Sequence, residues 1–309
     1  MVEKKAIDRL DATDAVFFKR QLEFVKAGTY DEKLADLKYA QFLPVSAEAP
    51  GGATEITWRS FHGYGFAKII ADYAHDFPRV DIGGEEHTVK IKDIGSSYAY
   101  NIREIQRAAM AGVPLEQRRA AMARRAIEEK LNTIAWSGDS TANIQGFIDY
   151  PGITEYTVPA TGTGTTKTWS TKTAAQILVD LFGIVNAVVE GTQGKEVPDT
   201  ILMPLSNLNL IRQLQNSTAS DVTVYKFFMD NNPGVTIDWV KELATAGAGG
   251  TGQMIAYKKD ANHVTFELPL SFEQLEEEKK GMEYVVPCWA SVGGVIVYYP
   301  SSVCKADGI

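Results

Sequence analysis

Ser140 lies in the tripeptide Gly-Asp-Ser at the end of a long helical pattern, a setting that suggests a catalytic nucleophile. A serine on a nucleophile elbow needs Gly-x-Ser-x-Gly between a strand and a following helix. Here the serine follows a helix, and Ala142 stands where the second glycine would be. The sequence therefore favours a polar turn at the helix end, and a hydrolase would require a distant histidine to fold in beside Ser140.

A second motif that could do chemistry is "GAGGTG", Gly247–Gly252, which matches the Gly-x-Gly-x-x-Gly of dinucleotide sites. Such a site needs a strand before the loop and a helix after it, so that the helix N-terminus faces the pyrophosphate. The residues that follow, "QMIAYKK", predict a strand instead. A flexible loop is therefore the favoured interpretation. The stretch "TGTGTT", at 161–166, lacks the Gly-Lys-Ser/Thr ending of a P-loop.

The histidines and cysteines do not have the spacing of a metal site. The cysteines are too few for a disulfide framework and are expected to be ordinary buried thiols. The sequence therefore predicts no catalytic, cofactor-binding or metal site and no cofactor. The residues concerned are His62, His75, His87, His263, Cys288 and Cys304.

Composition sets the class of protein. The 309 residues are 45% hydrophobic and 23% charged, which is typical of a folded protein with one large irregular domain or two lobes. The net charge of −8, and the balance of eight basic and eight acidic residues in the first forty, argue against an arm that grips nucleic acid. The beginning of the chain lacks the pattern of a signal peptide, and the most apolar stretch is short and interrupted by Asp180 and Asn186. We expect a soluble, cytosol-made protein without a membrane span.

One long helix dominates the pattern, at about 114–136. Its apolar residues recur at steps of three and four, which gives a single narrow stripe. At 1.5 Å per residue this helix is about 35 Å long. Arg124–Glu128 and Arg125–Glu129 are i,i+4 pairs on its other faces. We predict a structural spine that packs through Ala120, Ala123, Ile127, Leu131 and Ile134.

Two alternating segments, 54–61 and 87–94, predict strands separated by a connection too long for a tight turn. A two-stranded arm of this kind is only marginally stable alone, so it should rest on a neighbour. Its apolar residues are too numerous for a solvated loop and predict a protein–protein contact. The candidate contact residues are Trp58, Phe61, Tyr64, Phe66, Ile69, Ile70, Tyr73 and Phe77.

The other segments mix helices and strands without regular βαβ repetition, which predicts an α+β fold. A short helix is expected from Asp11 or Thr13 to Gly28, followed by an extended arm. Helices are expected at 173–191, with Leu178, Phe182, Val185 and Val189 inward, and at 205–215 and 221–231. Short strands are expected at 199–204 and throughout 234–300.

The order of these parts resembles that of a bacteriophage major capsid protein of the Hong Kong 97-type fold, a family with an encapsulin-like layout. The resemblance covers nearly the whole chain in order. It rests on "IGSSYAYNIREIQRAAMAGVPLEQRRAAMARRAIEEKLNTIAWSGD", "PDTILMP", "QMIAYKK" and "VGGVIVYYPSSVCKADGI".

The resemblance implies a layout of five parts. These are an N-terminal arm at 1–53, an extended β-hairpin loop at 54–94, a peripheral domain with the spine helix at 95–140, an axial domain at 141–284, and strands at 285–309 that return to the peripheral domain. The hairpin aromatics would contact the adjacent subunit.

The resemblance also implies partners. Subunits would assemble with themselves into pentamers and hexamers of an icosahedral shell in the virion, made in the bacterial host's cytoplasm. Portal, scaffolding and decoration proteins would be further partners, and packaged DNA would be enclosed without sequence-specific binding. The alternatives are an encapsulin-like nanocompartment shell and, from another class, a soluble hydrolase or nucleotide-binding enzyme.

Overall fold

The computed structural model describes residues 34–69, 77–111, 115–217 and 220–309. The helix expected between Asp11 and Gly28 lies outside the described residues. Residues Leu37–Ile309 form one compact unit that contains every helix and strand named below.

The described residues contain both long and very short elements. The helices are α1 Tyr39–Phe42, α2 Ile102–Ala111, α3 Leu115–Ser137, α4 Ala174–Gly191, α5 Leu205–Gln213 and α6 Val224–Asn231. The strands of the first half are β1 Val45–Ser46, β2 Glu55–Tyr64, β3 Asp81–Lys90, β4 Lys92–Asn101 and β5 Thr154–Glu155. Those of the second half are β6 Thr200–Met203, β7 Gln215–Ser217, β8 Ser220–Thr223, β9 Thr236–Trp239, β10 Gln253–Tyr257, β11 Val264–Glu267, β12 Leu270–Gln274, β13 Glu278–Lys280, β14 Glu283–Val292, β15 Gly294–Val297 and β16 Cys304–Asp307.

The predicted arm is a two-stranded antiparallel hairpin, β2–β3, paired from Glu55↔Lys90 to Tyr64↔Asp81. Its strands are longer than predicted on the tip side, because both faces are exposed there and an alternating pattern marks only half-buried strands. The second predicted strand, 87–94, is divided between β3 and β4. The division lies at Ile91, whose backbone N–H donates to the carbonyl of Thr54 at 2.9 Å.

The spine helix α3 packs against a sheet centred on β14. β4 pairs with β14 along ten residues, and β12 and β13 pair with the other side of β14. Side chains of α3, β4 and β14 share one core with β11, β15 and one face of β10. Phe42 and Leu43 also lie in this core, and β1 pairs with β11, so part of the predicted arm at 1–53 is buried.

A second core lies between a five-stranded sheet, in the order β5-β16-β10-β6-β9, and helices α4, α5 and α6. β10 serves both cores, because successive side chains of a strand point to opposite faces. Ile255 and Tyr257 lie in the spine core, whereas Met254 and Ala256 lie in the second core. Residues 285–309 are divided in the same way: β14 and β15 join the spine core, and β16 joins the sheet of the second core.

Helix α4 buries two of the four side chains that were expected to face inward, Leu178 and Val185. Its most buried apolar side chains are Ile177, Leu181, Ile184 and Val188, whereas Phe182 and Val189 are only half-buried. The apolar residues cover more than half the helix circumference, so their spacing alone does not fix the inward direction. By length and composition α4 could cross a membrane, but in the structure its apolar side forms the second core.

Asp180, which interrupts the apolar pattern of α4, is fully buried. Its carboxylate accepts hydrogen bonds from the Lys172 ammonium at 2.6 Å and from the Trp169 indole at 2.9 Å. Burial raises the pKa of Asp180, and the Lys172 ammonium opposes that shift. The buried pair therefore ties the segment before α4 to the body of the helix.

The segment 221–231 was predicted to be helical throughout, but residues 221–223 belong to strand β8. The Thr223 hydroxyl accepts the backbone N–H of Lys226 at 3.3 Å, which makes Thr223 the N-cap of α6. The helix therefore begins at Val224.

Candidate assembly surface

The tip of the β2–β3 hairpin exposes large apolar side chains to solvent. Phe61 and Phe66 are each 71% exposed, and Ile69 is completely exposed. Tyr64 and Phe77 are also exposed, whereas Ile70 and Tyr73 lie outside the described residues. The sequence analysis missed two further exposed residues, Val80 and Ile82. They follow the predicted apolar segment directly and extend the same surface, which we call the hairpin tip (Phe61–Ile69 and Phe77–Ile82).

Two glycines on β3 let aromatic rings lie against the hairpin backbone. Phe61 is opposite Gly84, where an added Cβ would lie 3.2 Å from the ring of Phe61. An added Cβ at Gly83 would lie 3.0 Å from the ring of Tyr64. The rings therefore cover the glycines and remain open to solvent on their other side. This local packing orders the aromatic surface without burying it.

The base of the hairpin, in contrast, rests on its own subunit. Trp58 stacks on His87 at 5.3 Å between ring centroids and meets Tyr298 edge-on at 6.0 Å. An added Cβ at Gly293 would lie 3.2 Å from the Cδ1 atom of Ile56, which shows that Ile56 also packs on the core. Of the candidate contact residues, Trp58 is thus half-buried and packs within its own subunit. Tyr298 is distant in sequence, and the strand pattern alone could not have indicated this contact.

The spine helix places its predicted stripe inward. Ala123, Ile127, Leu131 and Ile134 are buried, and Ala120 is partly buried against the same core. Arg124–Glu128 and Arg125–Glu129 form the expected i,i+4 pairs, at 3.0 Å and 2.9 Å.

The beginning of the spine helix is fixed to its neighbours by Arg119. Its guanidinium donates to the carbonyl of Ala99 on β4 and, at 3.0 Å, to the carboxylate of Glu104 on α2. The hydrogen bond from Arg119 lowers the pKa of Glu104. Glu104 also accepts the backbone N–H of Asn101 at 3.3 Å, which caps the start of α2.

The Gly-Asp-Ser motif forms the exit turn of the spine helix. The Asp139 carboxylate accepts the backbone N–H groups of Thr141 at 3.0 Å and Ala142 at 3.2 Å, and it pairs with Lys130 at 2.7 Å. The hydrogen bond from Lys130 lowers the pKa of Asp139. Gly138 has φ +71°, and an added Cβ would lie 2.4 Å from the carbonyl of Ile144. The glycine and aspartate of the motif are therefore used by the turn, and Ser140 is an exposed residue within it.

The glycine-rich segments are also turns. Residues 247–251 form a tight turn in which Gly249 has φ +72°, and the N–H of Gly247 donates to the carbonyl of Thr251 at 2.9 Å. Strand β10 follows, as predicted, so the order of elements is not that of a dinucleotide site. Gly162 and Thr166 pair across a second tight turn.

The candidate histidines and cysteines form no shared site within the described ranges, and His75 lies outside them. Among the described residues, no group of three His, Cys, Asp or Glu side chains is arranged to hold a metal ion. His263 is buried, with Nε2 at 3.1 Å from a carboxylate oxygen of Glu196. Cys288 and Cys304 are buried free thiols, and burial raises the pKa of Cys304 to about 12.

An exposed hairpin, a spine helix and two cores are thus the main features of the subunit. The family model described as "Major capsid protein" matches residues 65–309. The chain belongs to the major capsid protein family. As a member of this family it is a structural capsid subunit, whose place is the capsid of the virion.

Solved structures show the fold of this capsid subunit. The capsid protein of Myoviridae phage XM1 has a TM-score of 0.84 at 17% identity and covers 96% of this chain and 100% of that chain. The capsid of the native GTA particle has a TM-score of 0.66 at 10% identity, and the match covers 96% of this chain and 98% of that chain. The virus-like particle from Pyrococcus furiosus has a TM-score of 0.53 at 11% identity, and the match covers 87% of this chain and 91% of that chain. No curated protein sequence matches the chain.

These likenesses confirm the predicted Hong Kong 97-type fold and its mixture of helices and sheets. Membership of the major capsid protein family supports self-assembly into a capsid. The encapsulin-like alternative is not better supported than the phage capsid.

Proposed function

We propose that this capsid subunit forms pentamers and hexamers of an icosahedral shell around packaged phage DNA, and that the hairpin tip of each subunit contacts the adjacent subunit. The exposed apolar tip is the observation that carries the proposal. Burying one such side chain stabilises a contact by about 1.5–3 kcal/mol, before the cost of association is subtracted. Several of them on one hairpin therefore favour a contact between subunits over exposure to water.

The base of the hairpin supports the same role. Because Trp58 and Ile56 pack on the subunit's own core, the hairpin is held at one end and presents its tip at the other. Cross-strand contacts stiffen the part between, including the hydroxyl pair Thr57–Thr88 at 3.0 Å and the ion pair Arg59–Glu86 at 2.7 Å. A stiff arm positions an apolar surface at lower entropic cost than a flexible loop.

The partners follow from this role. We propose that a portal protein and a scaffolding protein act with the shell and that decoration proteins bind its outside. The DNA is enclosed without sequence-specific binding, which agrees with the net charge of −8. Synthesis takes place in the cytoplasm of a bacterial host, and the shell has no enzymatic activity of its own.

A shortened hairpin tests the proposal. Replacing residues 65–80 by Asn-Gly would join Tyr64 to Asp81, the last pair of the hairpin, through a two-residue turn. We expect this variant to keep the circular dichroism spectrum and thermal transition of the wild-type subunit but to form no closed shells by sedimentation velocity and negative-stain microscopy. Val197→Ser is the matched control, because Val197 is an exposed apolar residue outside the hairpin.

The outcomes separate folding from assembly. Normal shells from the shortened variant would show that the part of the hairpin tip within residues 65–80 is dispensable. Global unfolding would place the deleted side chains in the subunit's own core. The contents of wild-type particles decide between the two shell functions: packaged DNA supports the phage capsid, and a protein cargo supports the encapsulin-like compartment.

A further inference from the structure

The sheet beneath the spine helix has two edges that differ in charge. β4 pairs with one side of β14 along its whole length, and β12 and β13 pair with the opposite side. With strands about 4.8 Å apart, the two edges are separated by about 10 Å. Helix α2 continues directly from the end of β4, and Arg119 donates to both elements. The segment that joins β12 to β13 forms part of the other edge.

The helix that continues from β4 has a basic stripe. Arg103, Arg107 and Met110 follow each other on α2 at i, i+4 and i+7, which places them on one stripe of the helix. All three are exposed, and Met110 is 93% exposed. Within the described part of the chain, neither arginine lies at ion-pair distance from a carboxylate. We call these three residues the α2 stripe.

The opposite edge is acidic. Glu273, Leu275 and Glu276 lie at the end of β12 and just after it, and all three are exposed. The backbone N–H of Leu275 donates to the carbonyl of Pro287 at 2.9 Å, which holds this segment against β14. The described residues offer no cation at ion-pair distance from either glutamate. We call these residues the acidic segment.

The two surfaces match in number and chemistry. Each presents two like charges and one exposed apolar side chain, and the charges of the two surfaces have opposite signs. Met110 follows both arginines along α2, whereas Leu275 lies between the two glutamates. The arginines are about 6 Å apart along the helix axis, and the glutamates are separated by about 10 Å of extended chain at most. Guanidinium groups bind carboxylates through two parallel hydrogen bonds, so arginine suits such a contact better than lysine does.

We propose that the α2 stripe of one subunit docks on the acidic segment of a neighbouring copy. Met110 packs on Leu275 in this contact, and Arg103 and Arg107 pair with Glu273 and Glu276. Because different surfaces of the two copies meet, the contact is heterologous and generates rings or extended arrays rather than an isolated dimer. The proposal rests on the proposed shell function and adds a second contact, on the body of the subunit, to that of the hairpin tip.

Charge reversal in both directions tests the pairing. One variant carries Arg103→Glu and Arg107→Glu, a second carries Glu273→Arg and Glu276→Arg, and a third combines all four changes. Like charges facing each other should lower the shell yield of each double variant roughly tenfold or more, and the combined variant should recover most of it. Glu190→Lys, which reverses an exposed charge on α4, should leave the yield unchanged. Circular dichroism of unassembled subunits checks that every variant is folded.

Each outcome decides between supporting and rejecting the contact. Wild-type yields from both double variants would overturn it, and so would failure of the combined variant to recover while remaining folded. Normal shells that retain less DNA in the arginine variant alone would assign the α2 stripe to nucleic acid instead. If the wild type forms no shells with the same partners, the proposed function fails, and this contact fails with it.

Discussion

Truncation of Ile127 to alanine would test whether the spine helix is held by its apolar stripe. Ile127 is 1% exposed and lies in the core that α3 shares with β4 and β14. The change removes three carbon groups, worth about 0.8 kcal/mol each, or about 2.4 kcal/mol in total. The remaining cavity adds to this loss, and the higher helix propensity of alanine offsets a few tenths. We expect the free energy of unfolding to fall by about 3–4 kcal/mol.

Urea denaturation of unassembled subunits, followed by circular dichroism, measures this loss. Met122→Ala is the matched control, because Met122 lies on the same helix and is 58% exposed. It should change the free energy of unfolding by no more than about 0.5 kcal/mol. A loss below about 1 kcal/mol in Ile127→Ala, with an unchanged urea slope, would refute the reasoning. Ile127→Asp should be worse, because a buried unpaired charge is added to the cavity.

Three further changes test the exit turn of the spine helix and the buried ion pair. Gly138→Ala should lower the free energy of unfolding by about 1–3 kcal/mol, since φ is +71° and a Cβ would clash with the carbonyl of Ile144. Ser140→Ala should leave both folding and assembly intact by the same urea and sedimentation assays, and loss of a measurable hydrolase activity would show that the turn is not merely structural. Lys172→Met should cost about 3–5 kcal/mol at pH 7, because it leaves the Asp180 carboxylate buried without its cation. The raised pKa of Asp180 means that protonation favours the folded state, so this variant should gain stability as the pH falls from 7, and a variant that lost stability over that range would contradict the assignment.

The sequence predicted the helices and strands best where one face of the element is buried and the other is exposed to solvent. Helix α3 has its apolar residues at steps of three and four, and the structure forms a helix over Leu115–Ser137. The prediction was poorer where neither face, or both faces, are buried. The tip-side ends of β2 and β3 have no alternation because both faces meet solvent, and α4 is apolar around too much of its circumference to show which side is inward.

The hairpin illustrates the same limit for the candidate assembly surface. Its aromatic residues could be recognised from the sequence as too apolar for a loop. Their division into a packed base and an exposed tip could not, because Trp58 packs on Tyr298, which lies 240 positions later in the chain. The opposite charges of α2 and of the segment after β12 could not be related to each other from the sequence for a similar reason. The two segments are far apart in the chain, and they belong to one sheet only because β4 and β12 both pair with β14.

The sequence by itself determined local structure: the spine helix, the turns at glycines and the order of parts that resembles a capsid protein. These features depend on side-chain periodicity and on backbone preferences within a few residues, and both can be read directly from the sequence. Only the tertiary structure decided what covers each face. β10 sends alternate side chains into two different cores, and β16 leaves the other C-terminal strands to join the second core. Alternation gives a strand two faces, but the partner of each face comes from distant segments, whose arrangement depends on packing of the whole subunit.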